Sequence, residues 1–136
     1  MKPAAVYGLA ALVFLLDRLS KMLVVKRFDY ITNYGAAFGI LQHQTTLFLV
    51  VGVAVSIALL YYIKKYSYPE LGFLLGGTLG NLLDRMTQGY VIDFIDFKVW
   101  PSFNIADTFN TIAVILLIYR WEIKPRMRKL YKGNSL

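Results

Sequence analysis

The chain has 136 residues, 57% of them apolar, and its 15 Lys and Arg against 8 Asp and Glu give a net charge of +7. A mean hydropathy of +0.52 places it in the membrane class, and the length allows a single domain, 1–136. The lack of cysteine excludes disulfides, thiolate metal sites, a cysteine nucleophile and lipidation of the chain's own cysteine, and a single histidine argues against a zinc site.

The pattern predicts an all-α membrane protein of four transmembrane helices with a small extracytoplasmic β-element. The first span covers about 3–25. It begins like a signal peptide, but Asp17 and Arg18 follow the apolar run with no small-residue cleavage site, so a retained helix is expected. Asp17 and Lys21 stand four apart and can pair, which lowers the cost of burying both. The loop 26–43 is too long for a tight turn. Its Asn33, Gly35 and Gly39 among β-branched and aromatic residues predict a short strand-like element, and His43 falls at the outer mouth of the second span.

The second span, about 44–63, has no charge over twenty residues, the length that crosses a bilayer. The third, about 69–87, repeats small residues at Gly72, Gly76 and Gly80 with Gly77 adjacent, a spacing that lets helices approach closely in lipid. Near its end stand Asn81, Asp84 and Arg85. The run 91–100 alternates partly at period two, predicting a second short strand, and contains Asp93 and Asp96. The fourth span, about 103–121, opens with Asn104 and Asp107, and a basic tail, 122–136, follows.

Orientation follows the Lys and Arg residues flanking the apolar cores. With the N-terminus inside, Lys2, Lys64, Lys65, Arg120, Lys124, Arg126, Arg128, Lys129 and Lys132 are cytoplasmic and only Lys26, Arg27 and Lys98 are outside, nine against three. Both termini are therefore expected in the cytoplasm. This explains the basic charge better than nucleic-acid binding, and sets the tail beside anionic lipid. The polar groups of spans one, three and four then share one depth, near the outer surface.

Ionisable residues at membrane depth are functional candidates. Asn81/Asp84 and Asn104/Asp107 have the same three-residue spacing, which puts each pair on one helix face. Asp84 lies near a helix C-terminus, where the dipole disfavours an anion, and next to Arg85; a structural pairing is the favoured reading. Asp107 lies in a first turn, where the dipole favours it, as a capping acid or as a reactive carboxylate. Paired carboxylates can activate water. Spacing supplies Asp93 and Asp96 as partners for Asp107 and does not choose between them.

The blocks DRLSK (17–21), NYGAAFGIL (33–41), GNLLDR (80–85), GYVIDFIDF (89–97) and FNIADTFNTIAV (103–114) occur in order. Together they resemble the lipoprotein signal peptidases (signal peptidase II, or prolipoprotein signal peptidase), four-helix aspartyl proteases of bacterial membranes. Arg18 stands where many members carry Gln. The resemblance implies Asp93 and Asp107 as the catalytic pair, with Asp17, Lys21, Asn33, Asn81, Asp84, Arg85 and Asn104 as supporting or substrate-binding residues. It further implies a multi-pass protein of the bacterial cell membrane, diacylglyceryl-prolipoprotein substrates, membrane lipid as surroundings, inhibition by globomycin, no cofactor or metal, and a monomer. Two other classes stand beside it. A transporter or proton-conducting bundle would need polar groups at successive depths; a structural membrane subunit would use them only to join helices.

Overall fold

The computed structural model describes residues 1–35, 41 and 43–126. Most of the NYGAAFGIL block, with Gly39, and the basic tail from 127 onward lie outside the described residues. Four helices and two short strands follow in the order α1 (Pro3–Arg27), β1 (Ile31–Asn33), α2 (Thr45–Tyr66), α3 (Pro69–Gln88), β2 (Val91–Asp93) and α4 (Ile105–Ile118). A π-helical turn, Tyr119–Ile123, continues α4. The fold is thus mostly helical with one two-stranded antiparallel sheet. Among the described residues only α2 is long and apolar enough by itself to cross a membrane; α1 and α3 carry the charges noted above, and α4 is a 14-residue helix before the π turn.

Local sequence explains the helix ends. Proline opens both α1 and α3, where its missing N–H costs nothing and its fixed φ is already helical. Ser67 takes a left-handed conformation after α2 and its hydroxyl and N–H both bond Ile63 O. Gly89 closes α3 at φ +83, its N–H donating to Arg85 O, a conformation cheap only for glycine. The chain therefore turns directly from α3 into β2. Asn104 caps α4, its Oδ1 accepting the Asp107 N–H at 2.9 Å. Asn104 thus lies at the helix boundary, not on a helix face as the spacing predicts.

α3 is the central helix and packs against the other three. The small residues face two ways. A Cβ at Gly72 would lie 2.6 Å from Val6 O, one at Gly76 2.7 Å from the Val13 Cβ, and one at Gly80 2.6 Å from Asp17 Oδ2, all on α1. Gly77 faces α4, where a Cβ would meet Ala106 O and Asn110. The predicted close-packing role of these glycines is what the structure shows, with two partners.

The half of the bundle away from the sheet holds an apolar core built on Val6, Ala10, Leu59, Ile63, Leu71, Leu75 and Leu117. Here Tyr7 OH donates to Leu60 O across α1 and α2. At the same end Arg120 makes two hydrogen bonds to Oε1 of the buried Glu70, at 3.0 and 2.7 Å, and stacks over Tyr68. At the opposite end β1 pairs with β2 in the register Ile31↔Asp93, Thr32↔Ile92, Asn33↔Val91. Ile95 and Phe103 then exchange backbone hydrogen bonds, at 2.9 and 3.0 Å, and close the loop between β2 and α4. Both predicted strand regions therefore contain a strand, each three residues long.

Overpacking a close helix contact costs about 1–3 kcal/mol. Gly76→Ala is expected to destabilise the detergent-solubilised protein by that amount in thermal unfolding, while Gly8→Ala, with nothing within 4 Å of the new Cβ, leaves the midpoint unchanged or slightly raised.

Candidate active site

Two linked clusters occupy the end of the bundle that carries the two-stranded sheet. The first is ionic and buried: Asp17, Lys21 and Asp84 are at most 2% exposed. Lys21 Nζ lies 2.9 Å from Asp17 Oδ2 and 2.7 Å from Asp84 Oδ2. Arg18 lies 2.9 Å from Asp17 Oδ2 and 2.6 Å from Asp84 Oδ1. Two acids and two bases make a neutral group, which is what burial at low dielectric requires. The predicted Asp17–Lys21 pair is present. The partner expected for Asp84 is corrected: it bonds Arg18 and Lys21 on α1 and the Ile92 N–H in β2. Arg85 points elsewhere, because adjacent helix residues face different directions. Its guanidinium donates to Gly35 O at 3.0 Å and lies over Phe48. Arg18 is the functional neighbour that charge spacing alone missed, although it stands inside the DRLSK block.

Asp17 does a further job. Its Oδ1 accepts the backbone N–H of Ala106 at 3.0 Å, so a side chain on α1 satisfies an otherwise orphaned donor in the first turn of α4. The start of α4 is thereby fixed against α1.

The second cluster holds Asp93 and Asp107. Asn104 reaches both: its Nδ2 donates to Asp93 Oδ1 at 2.8 Å and to Asn81 Oδ1 at 3.1 Å, while its Oδ1 receives the Asp107 N–H. Asn81 accepts from Lys21 Nζ at 3.0 Å and donates to Asp107 Oδ1 at 2.7 Å. Asn33 donates to Asp93 Oδ2 at 2.9 Å. That bond joins diagonal neighbours across the β1–β2 pair, which lie within side-chain reach on one face. The three asparagines thus grip the two carboxylates and connect them to the ionic cluster.

Asp93 and Asp96 have different surroundings. Burial first, and then the charge of Asp107, push the Asp93 carboxyl up to about 6, against the hydrogen bonds from Asn33 and Asn104 and the charge of Lys21. Asp96 bonds both the backbone and the ammonium of Lys98, at 2.8 and 2.7 Å, in the connecting loop; these bonds hold its carboxyl below the usual range. His43 is exposed and meets the Tyr34 ring.

A groove of about 690 Å³ opens beside Asp107. α3 contributes Asn81 and Arg85, α2 contributes Phe48, and α4 contributes Asp107, Thr108 and Asn110, with Asn33 and the segment 100–103 at the outer edge. Of the residues expected at the site, Asn33, Asn81, Arg85 and Asp107 border this groove; Asp93 and Asn104 stand behind that rim, and Asp17, Lys21 and Asp84 support it from α1 and α3.

Residues 9–122 match the family model described as signal peptidase (SPase) II. The chain belongs to the signal peptidase II family. It is 39% identical to a lipoprotein signal peptidase of Halothermothrix orenii, over 86% of this chain and 95% of that one. It is 41% identical to one of Caldanaerobacter subterraneus, over 88% and 97%. Two solved structures, described as bacterial membrane enzymes determined by the in meso method, share the fold. One, at 2.3 Å resolution, has a TM-score of 0.78 at 29% identity and covers 97% of this chain and 90% of its own. The other, at 1.9 Å, has a TM-score of 0.76 at 30% identity and covers 88% and 93%. Signal peptidase II membership makes the chain a protease, and its structural neighbours are membrane enzymes.

Removing one partner from a buried ionic group costs about 3–5 kcal/mol, because the remaining charge is left uncompensated. Lys21→Met is expected to lower stability by that order in chemical denaturation. Asp17→Asn should likewise reduce accumulation more than it alters turnover of the enzyme that does fold. For Asp93, Asp107→Asn removes a negative neighbour and leaves burial in place. The Asp93 carboxyl, followed by carbon-13 NMR, should then titrate below its value of about 6 but still above 3.8.

Proposed function

We propose that this chain is an aspartyl endopeptidase that removes signal peptides from diacylglyceryl-modified prolipoproteins, cutting on the N-terminal side of the lipidated cysteine at the outer membrane face. The observation that carries the proposal is the placement of Asp93 and Asp107 on one asparagine, Asn104, where α3, α4 and the β1–β2 pair meet.

In this reading Asp107 is the ionised partner. It is the third residue of α4, in the first turn, where the helix dipole favours an anion. It removes a proton from water, whose oxygen adds to the scissile carbonyl carbon. Asp93, the other member of the pair, presents the shared proton that polarises the carbonyl oxygen. Collapse of the tetrahedral adduct breaks the C–N bond, and the departing amine nitrogen takes up a proton from the pair. The carboxyls titrate together, with one shared proton as the working state.

The supporting residues divide by what they touch. Asn33, Asn81 and Asn104 aim the carboxylates, and Asp17, Lys21 and Asp84 hold Asn81 and the end of α4 in place. Arg85 holds the segment carrying Gly35 at the groove's edge. The signal segment lies in the groove between α2 and α4, with its lipid in the surrounding bilayer. The nine-to-three distribution of basic residues supports a four-span enzyme of the cell membrane with both termini cytoplasmic; a single domain and a monomer complete the reading. Globomycin is the inhibitor expected to occupy the groove. The apolar inner core speaks against a continuous ion path.

Asp93→Asn and Asp107→Asn should each abolish cleavage of a lipidated prolipoprotein by purified enzyme at normal abundance, and Asp96→Asn should retain most of it. Near-normal turnover by either of the first two sinks the assignment. The raised Asp93 carboxyl loses its proton as pH rises through about 6, so kcat/KM should fall on the alkaline side of that value. The same sign governs stability: this group's contribution is fully present below about pH 3.8 and disappears through about 6.

A further inference from the structure

The groove contains one amide that the dyad does not use. Asn110 lies on α4 three residues beyond Asp107 and borders the same groove. At 1.5 Å per residue it sits about 4.5 Å nearer the cytoplasm on the same helix face. Asn33, Asn81 and Asn104 all hydrogen-bond within the site. Among the described residues the side chain of Asn110 makes no hydrogen bond. Its Oδ1 is enclosed and unpartnered, packed where a Cβ at Gly77 would stand. The nearby Thr108 hydroxyl is engaged with Asn104 O. With Oδ1 turned into the α3–α4 contact, the NH2 group is the edge left for the groove. A polar group at membrane depth without a partner is costly, and an NH2 group calls for an acceptor.

A helix entering this groove brings such acceptors, since its last four carbonyls have no partner of their own. We infer that Asn110 is a positioning residue for the signal segment. Its NH2 donates to a backbone carbonyl of the substrate two or three residues before the scissile bond, where the signal helix gives way to the extended stretch presented to Asp93 and Asp107. Recognition of a main-chain carbonyl fixes the depth of the segment without demanding a particular side chain. Gly77 makes this possible by leaving room for the Asn110 oxygen on the opposite side. This inference rests on the protease reading above.

The test is steady-state cleavage of a lipidated prolipoprotein by purified Asn110→Leu and Asn110→Ala, with thermal unfolding measured on the same samples. Loss of one such bond from binding predicts a KM raised about 3- to 10-fold with kcat within about two-fold. The unfolding midpoint of Asn110→Leu should be unchanged or higher, because an unpartnered oxygen has been replaced by apolar carbon. An unchanged KM in both variants overturns the inference. So does a raised KM accompanied by a matching loss of stability, which marks Asn110 as a packing residue. If the wild-type enzyme leaves the lipidated substrate intact, the protease reading fails and this inference fails with it. If wild type cleaves and KM alone is unmoved, only the role of Asn110 is lost.

Discussion

The ionic group of Asp17, Arg18, Lys21 and Asp84 is the constraint on which the sheet end of the molecule depends. A charge buried alone in this packing would be costly. Together they are neutral, and each oxygen or ammonium that remains is turned to a second use. Lys21 holds Asn81, Asp17 holds the first turn of α4, and Asp84 holds the backbone of β2. Such a group adds little net stability over well-packed apolar residues. What it contributes is a fixed relation between α1, α3, α4 and the small sheet, the four parts that must agree for two carboxylates on different elements to meet.

The glycines of α3 make that agreement sterically possible. Gly80 lies directly against the Asp17 carboxylate; a larger residue there would lift α1 from α3 and separate Lys21 from Asn81. Gly72 and Gly76 continue the close approach down the same face. The small face of α3 and the charged face of α1 are one device: closeness lets the charges pair, and pairing repays the desolvation that closeness imposes.

Helix positions were legible because each span is bounded by charge, proline or glycine, and the observed helices differ from the expected ranges by only a few residues. The polar site was legible as a set because apolar sequence makes Asn81, Asp84, Asn104 and Asp107 conspicuous. Partner identity was not. Asp84 sits beside Arg85 in sequence yet bonds Arg18 and Lys21, since helix–helix contacts, not chain neighbours, decide who meets whom. Asp93 and Asp96 share one run of alternating residues, and spacing cannot say which is buried; pairing of β1 with β2 brings Asn33 to Asp93 and leaves Asp96 in a turn with Lys98. The resemblance alone names one of the two; the geometry shows only that their surroundings differ. Asn110 escaped notice because its meaning lies in what it fails to bond.

The hydrogen bond from the Ala106 N–H to Asp17 joins the first helix to the last. A ribosome delivers α1, α2, α3 and β2 before α4, so Asp93 arrives in the membrane without Asp107 and without Asn104. Only when α4 docks on Asp17 does Asn104 reach Asp93 and bring Asp107 into the same cluster. Completion of the polar site is thereby tied to the docking of the last helix, and a chain that stops short of α4 lacks the side chains that link β2 to the ionic group.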